Sequence, residues 1–188
     1  AARSVAVAGT LAYVADGDAG LQIVDLRQPA SPVLMGAFDT PGYAGGVAVA
    51  GSLAYVADGR AGLQIIDVRE PSEPVQVGVF DTGGDARDVV VSGGLAYVAN
   101  RDGGLVIVDV GQPAQPVRRG GIDTAGEALG VAITGFRVVL SCYQGGLQVM
   151  DVADPANPVW LGGADTPGLA MDVKVAGDYA YVADDNIG

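Results

Sequence analysis

Histidine is missing from this chain altogether. That excludes Ser-His-Asp and Cys-His catalysis and every imidazole metal site. Cysteine occurs once, at Cys142, so neither an internal disulfide nor a thiolate metal cluster can form. Lysine also occurs once, at Lys174, and tryptophan once, at Trp160. Positive charge is scarce: 10 basic residues face 22 acidic ones, for a net charge of −12. Such a surface repels phosphate backbones and anionic headgroups, so nucleic acid and membrane insertion are not expected. No apolar run reaches the length of a membrane span, and no signal-peptide pattern opens at residue 1, which is compatible with an exported, trimmed chain.

What is abundant is repetition. "GLQIVDLRQPASPV", "GLQIIDVREPSEPV", "GLVIVDVGQPAQPV" and "GLQVMDVADPANPV" follow one another at a step of 42 residues. Asp25, Asp67, Asp109 and Asp151 close the apolar run of each. Gly20, Gly62, Gly104 and Gly146 open it, and Pro29, Pro71, Pro113 and Pro155 follow it. An Asp-Thr pair recurs at Asp39, Asp81, Asp123 and Asp165 without insertion or deletion. Fixed-period self-similarity marks an array of one supersecondary unit. Four periods and 20 further residues fill the chain, and the last 20 realign with the first 20. The expected division is one repeat domain over 1–188, with blades near 1–42, 43–84, 85–126 and 127–168 and a partial blade over 169–188.

Each unit reads as four short strands. "VAVAG" and "LAYVAD" are joined by Gly-X, as at Gly9-Thr10 and Gly51-Ser52. Glycine first in a two-residue loop is what a type II′ hairpin needs, since φ is positive there. "LQIVD" is the third strand. The fourth, "PVLMGAFDT", is reached through a P-x-x-P loop, where proline is tolerated at a strand margin. The first strand is almost all Val, Ala and Gly, while the fourth is bulkier and more polar. Small residues suit sheets that converge on an axis. Four antiparallel strands in about 40 residues, small along one edge, describe a β-propeller blade. A parallel β-solenoid fits less well, because its rungs are shorter and lack a Gly-X hairpin.

Leu105 to Asp109 spell Leu-Val-Ile-Val-Asp, and with the P-x-x-P loops and "YVAD" strands the chain resembles the LVIVD repeat family. The resemblance covers essentially the whole chain. Unit four departs furthest, with "FRVVLSCYQGG" where the others have "LAYVAD" and a loop. The resemblance implies an all-β propeller, often extracytoplasmic, and no general catalytic activity. The fold class expected is therefore a propeller with four full blades and half of a fifth, an arc of a larger assembly. A protein partner, another copy or a further segment would complete it.

The repeated aspartates admit two explanations. Locally, an Asp at a strand end accepts hydrogen bonds from backbone N–H groups of the turn that follows. The same account would serve Asp16, Asp58 and Asp184 at the end of "YVAD". Alternatively the carboxylates ring a cation. Asp16-Gly17-Asp18 resembles the opening of a Ca²⁺ loop, but its copies "DGRAG", "NRDGG" and "CYQGG" lose the ligands, so no metal site and no cofactor are expected. Carboxylates also leave a glycosidase as a third function, requiring two acids set about 5 to 9.5 Å apart.

If repeated positions hold the fold, variable ones carry function. The loops between blades vary at Tyr43, Asp85, Glu127 and Leu169, and again at Arg87, Asp88, Met171 and Asp172. The loops between second and third strands vary at Asp18, Arg60, Arg101, Asp102, Tyr143 and Gln144. Both sets should gather at one mouth of the central channel, the face where loops on a rigid scaffold collect ligands. The candidate binding positions are Tyr43, Asp85, Arg87, Asp88, Glu127, Asp172, Arg60, Asp102 and Tyr143. The expected function is a non-catalytic interaction or scaffold module, cell-surface or extracellular. The alternative is small-ligand or carbohydrate binding at the mouth.

Overall fold

The computed structural model describes residues 1–185, which form eighteen β-strands and no helix. Four sheets of four antiparallel strands follow one another along the chain. They are β1–β4 (Ser4–Ala8, Leu11–Ala15, Leu21–Asp25, Val33–Phe38) and β5–β8 (Gly46–Ala50, Leu53–Ala57, Leu63–Asp67, Val75–Phe80). Next come β9–β12 (Asp88–Ser92, Leu95–Ala99, Leu105–Asp109, Val117–Ile122) and β13–β16 (Gly130–Thr134, Arg137–Ser141, Leu147–Asp151, Val159–Ala164). A two-stranded sheet, β17 (Leu169–Ala176) and β18 (Tyr179–Asp185), ends the series.

The hairpins behave as the Gly-X spacing predicts. Gly9, Gly51, Gly135 and Gly177 have φ between 56° and 60°, while the residues after them do not enter the positive region. The third hairpin differs, since Gly93 and Gly94 are both positive, at 59° and 77°. Each fourth strand carries an irregularity opposite the middle of the third, as between Ile23 and Val24 or Ile107 and Val108. Such bulges bend the outer strand and increase its twist.

The first strands of successive sheets are neighbours: β1 with β5, β5 with β9, β9 with β13, and β13 with β17. These small-residue strands line the axis. The apolar core lies between blades rather than within them. Tyr13, Leu21 and Ile23 of the first blade pack in one cluster with Val47, Val56 and Ile66 of the second. Tyr55, Leu63 and Ile65 do the same with Val89, Val98 and Val108 of the third. Each blade therefore has an incoming and an outgoing apolar face, and one blade alone could not bury either.

The aspartates separate into two kinds. Oδ1 of Asp25, Asp67, Asp109 and Asp151 accepts from the backbone N–H two residues on, at 2.9, 3.0, 2.9 and 2.8 Å. The local explanation holds for all four. It fails for "YVAD". Asp58 accepts from Thr40 Oγ1 at 2.6 Å and from the Gly42 N–H at 2.8 Å, both in the loop that precedes its blade. Asp184 likewise accepts from the Gly168 N–H at 2.9 Å. These carboxylates stitch a blade to the one before it, because the Asp-Thr loop of blade n lies over the second strand of blade n+1. Burial raises the Asp58 pKa, with the Thr40 and Gly42 hydrogen bonds working against it. Cys142, at the same position in blade four, is buried, and burial pushes its thiol up to about 11.

Candidate functional site

The two variable loop sets do meet on one face. Short backbone bridges tie them pairwise: Gly17 to Ala44, Gly59 to Ala86, Arg101 to Ala128 and Tyr143 to Ala170. A cavity of about 1110 Å³ opens there, against the inner strands. Six of the nine candidate positions line it: Tyr43, Arg60, Asp85, Arg87, Asp88 and Asp172. Glu127 stands outside the wall but is wired to it. Asp102 is exposed and Tyr143 half-buried, and neither lines the cavity. Arg3 and Lys174 also line it, and the variable-loop argument could not find them. Arg3 lies before the first strand and Lys174 within the last sheet, and only the curvature of the arc brings them to the mouth.

The charged groups form a connected rim. Arg87 Nη2 donates to Asp85 Oδ2 at 2.8 Å. Arg101 Nη1 reaches the same oxygen at 3.4 Å, while its Nε and Nη2 donate to Glu127 at 2.8 and 3.3 Å. The Arg101 guanidinium holds the Glu127 carboxyl below its usual range. Elsewhere on the wall, Lys174 Nζ lies 3.1 Å from Asp172 and 4.0 Å from Asp88. Asp88 Oδ2 accepts from the Val131 N–H at 3.1 Å. Burial pushes the Asp88 pKa up to about 6, against the opposing pull of Lys174. Arg3 lies over the Tyr43 ring, 5.2 Å from its centroid, a cation–π distance.

Two mouth residues adopt a backbone conformation usually left to glycine. Arg101 has φ 48° and Tyr143 φ 49°, where the first two blades use Gly17 and Gly59, both at 59°. A side chain in that region costs roughly 1 kcal/mol or more, so the conformation persists only where its surroundings enforce it. For Arg101 the enforcing contacts are the ion pairs to Glu127 and Asp85 and the paired backbone bonds to Ala128 at 3.0 Å.

The LVIVD repeat model matches residues 1–40, 41–82, 83–124, 125–166 and 167–188. The chain belongs to the LVIVD repeat family. Among solved structures, this LVIVD chain is similar to the computationally designed Ika8 protein, with TM-score 0.73 and 9% identity over 97% of this chain and 55% of that one. It is also similar to the designed Ika4 protein, with TM-score 0.61 and 11% identity over 77% and 87% of the two chains. A functionally unknown protein from Desulfotomaculum acetoxidans DSM 771 aligns with TM-score 0.75 and 14% identity over 97% of this chain and 62% of that one. The LVIVD chain thus spans just over half the length of Ika8 and under two thirds of the Desulfotomaculum protein. At these identities the likeness is one of fold alone. No curated protein matches it. The repeat model, the all-β sheets and these neighbours together establish a propeller-like fold of four blades and a two-stranded partial one.

Proposed function

We propose that the chain is a non-catalytic interaction module that works by packing its terminal blade faces against another repeat surface of the same kind, first of all that of a second copy. One observation carries this reading. Val5 is 62% exposed, whereas its copies Val47, Val89, Val131 and Val173 are 5, 2, 0 and 1% exposed. The opposite end mirrors it: Tyr181 is 61% exposed, against 5, 4 and 5% for Tyr13, Tyr55 and Tyr97. One end thus offers an unpaired incoming face and the other an unpaired outgoing one. Inside the arc, faces of these two kinds form the core clusters. Contiguous exposed apolar surface of this kind marks interaction sites.

A cell-surface or extracellular setting belongs to the same proposal and rests on the family resemblance. The test is sedimentation velocity of the wild type beside Val5→Asp and Tyr181→Asp. The wild type should associate with rising concentration, and either charged variant should sediment as a single chain with its fold unchanged. Association that both variants leave untouched would refute the proposal.

A further inference from the structure

We infer that the mouth cavity is a binding site for a small organic acid, a carboxylate on an apolar body, held by the guanidinium groups of Arg60 and Arg87. The charge distribution points there first. The chain carries a net charge of −12, with only ten basic residues. Four of those ten, Arg3, Arg60, Arg87 and Lys174, line this one cavity, against three carboxylates, Asp85, Asp88 and Asp172. The wall is locally cationic on an acidic protein, and it concentrates anions of low molecular mass.

The donors are not all used. Lys174 is occupied by Asp172, and Arg87 Nη2 by Asp85. Arg60 has no ion-pair partner among the described residues. Arg87 Nη1 makes no hydrogen bond among the described residues and is not shut off from the cavity, so a ligand oxygen can accept from it. The guanidinium is also prevented from turning away. Asp85 holds it, and Arg101 holds Asp85 in turn from a backbone conformation that the first two blades leave to glycine. Retaining that conformation makes sense for a preorganised binding group, since a ligand then orders fewer side chains.

The remaining wall selects the body of the ligand. Tyr43, Leu129 and Met171 line the same space, and Met171 is 42% exposed. An apolar wall beside charged donors fits an organic acid better than an inorganic anion. The planar fork of arginine suits the two oxygens of a carboxylate.

The test is a heteronuclear NMR titration at low salt with three probes: hexanoate, the isosteric neutral hexanamide, and inorganic phosphate. Hexanoate should shift mouth resonances saturably, and hexanamide should bind at least about 10-fold more weakly, as expected for one lost charge-assisted hydrogen bond. Arg60→Gln and Arg87→Gln should each weaken hexanoate by a factor of roughly 10. Arg60 is exposed, so Arg60→Gln should melt like the wild type, and its lost response reports the site rather than the fold. Equal affinity for acid and amide would overturn the inference, as would phosphate matching hexanoate, hexanoate binding unchanged in Arg60→Gln, or no saturable hexanoate binding.

Discussion

Gly36, Gly78, Gly120 and Gly162 occupy one position in the fourth strands of the four blades, and alanine should act on them unequally. A Cβ at Gly78 would overlap the carbonyl oxygen of Pro113 in the next blade's P-x-x-P loop. Gly36 meets Pro71 and Gly120 meets Pro155 in the same way. At Gly162 nothing lies within 4 Å. None of the four has a positive φ, so the backbone conformation admits alanine and only the overlap matters. The obstacle is a backbone carbonyl, which cannot swing aside as a side chain would. We therefore place the cost of Gly78→Ala near the top of the overpacking range, about 3 kcal/mol. The lower entropy of the unfolded alanine chain offsets about 0.4–1 kcal/mol of this. A net loss of about 2 kcal/mol lowers the melting temperature of a chain this size by about 4–8 °C. Gly162→Ala keeps only the entropic gain, so its melting temperature should hold or rise slightly. Thermal unfolding followed by circular dichroism at matched concentration compares the two. Equal losses at Gly78 and Gly162 would refute the idea that blades are spaced by this glycine-to-loop contact.

Two further outcomes are expected. Asp109→Ala removes the acceptor for the Gly111 N–H and should cost about 1 kcal/mol by urea denaturation, leaving hexanoate binding intact. Asp88→Asn should change how stability depends on pH. In the folded chain Asp88 takes up its proton near pH 6, while the unfolded carboxyl does so near 4. Between those values the native state binds more protons, so the wild type loses stability relative to Asp88→Asn as pH rises from about 4 to 6, by on the order of 3 kcal/mol in all. Parallel stability profiles for the two proteins over that range would show that Asp88 is not buried as described.

The blade array was legible because a 42-residue step with glycine at every hairpin leaves few alternatives. The Asp25, Asp67, Asp109 and Asp151 turns were legible too, since donor and acceptor lie two residues apart. Asp58 was misread for the complementary reason. Its donors, Thr40 and Gly42, sit across a blade boundary, and local pattern carries no trace of that packing. At the mouth, variability picked out Arg60, Asp85 and Arg87 but missed Arg3 and Lys174, which reach the cavity only through the curvature of the whole arc. Tyr143 and Asp102 vary as strongly yet stand outside the cavity. Variation shows where the fold is permissive, and the direction of a side chain depends on backbone geometry, as the left-handed turn at Tyr143 illustrates.

Cross-linking of single-cysteine variants tests most directly whether the terminal faces seek each other. Val5→Cys and Tyr181→Cys would be made in separate chains, mixed and oxidised. Cys142 is buried and its thiol is pushed up to about 11, so it stays out of the reaction. Packing of incoming on outgoing faces predicts a mixed Val5→Cys–Tyr181→Cys dimer that forms faster than either self-linked dimer. The contrary results are a mixture that yields no such product, or a Val5→Cys/Tyr181→Cys double variant that cross-links only within a single chain of 18.8 kDa, which would mean that the arc closes on itself.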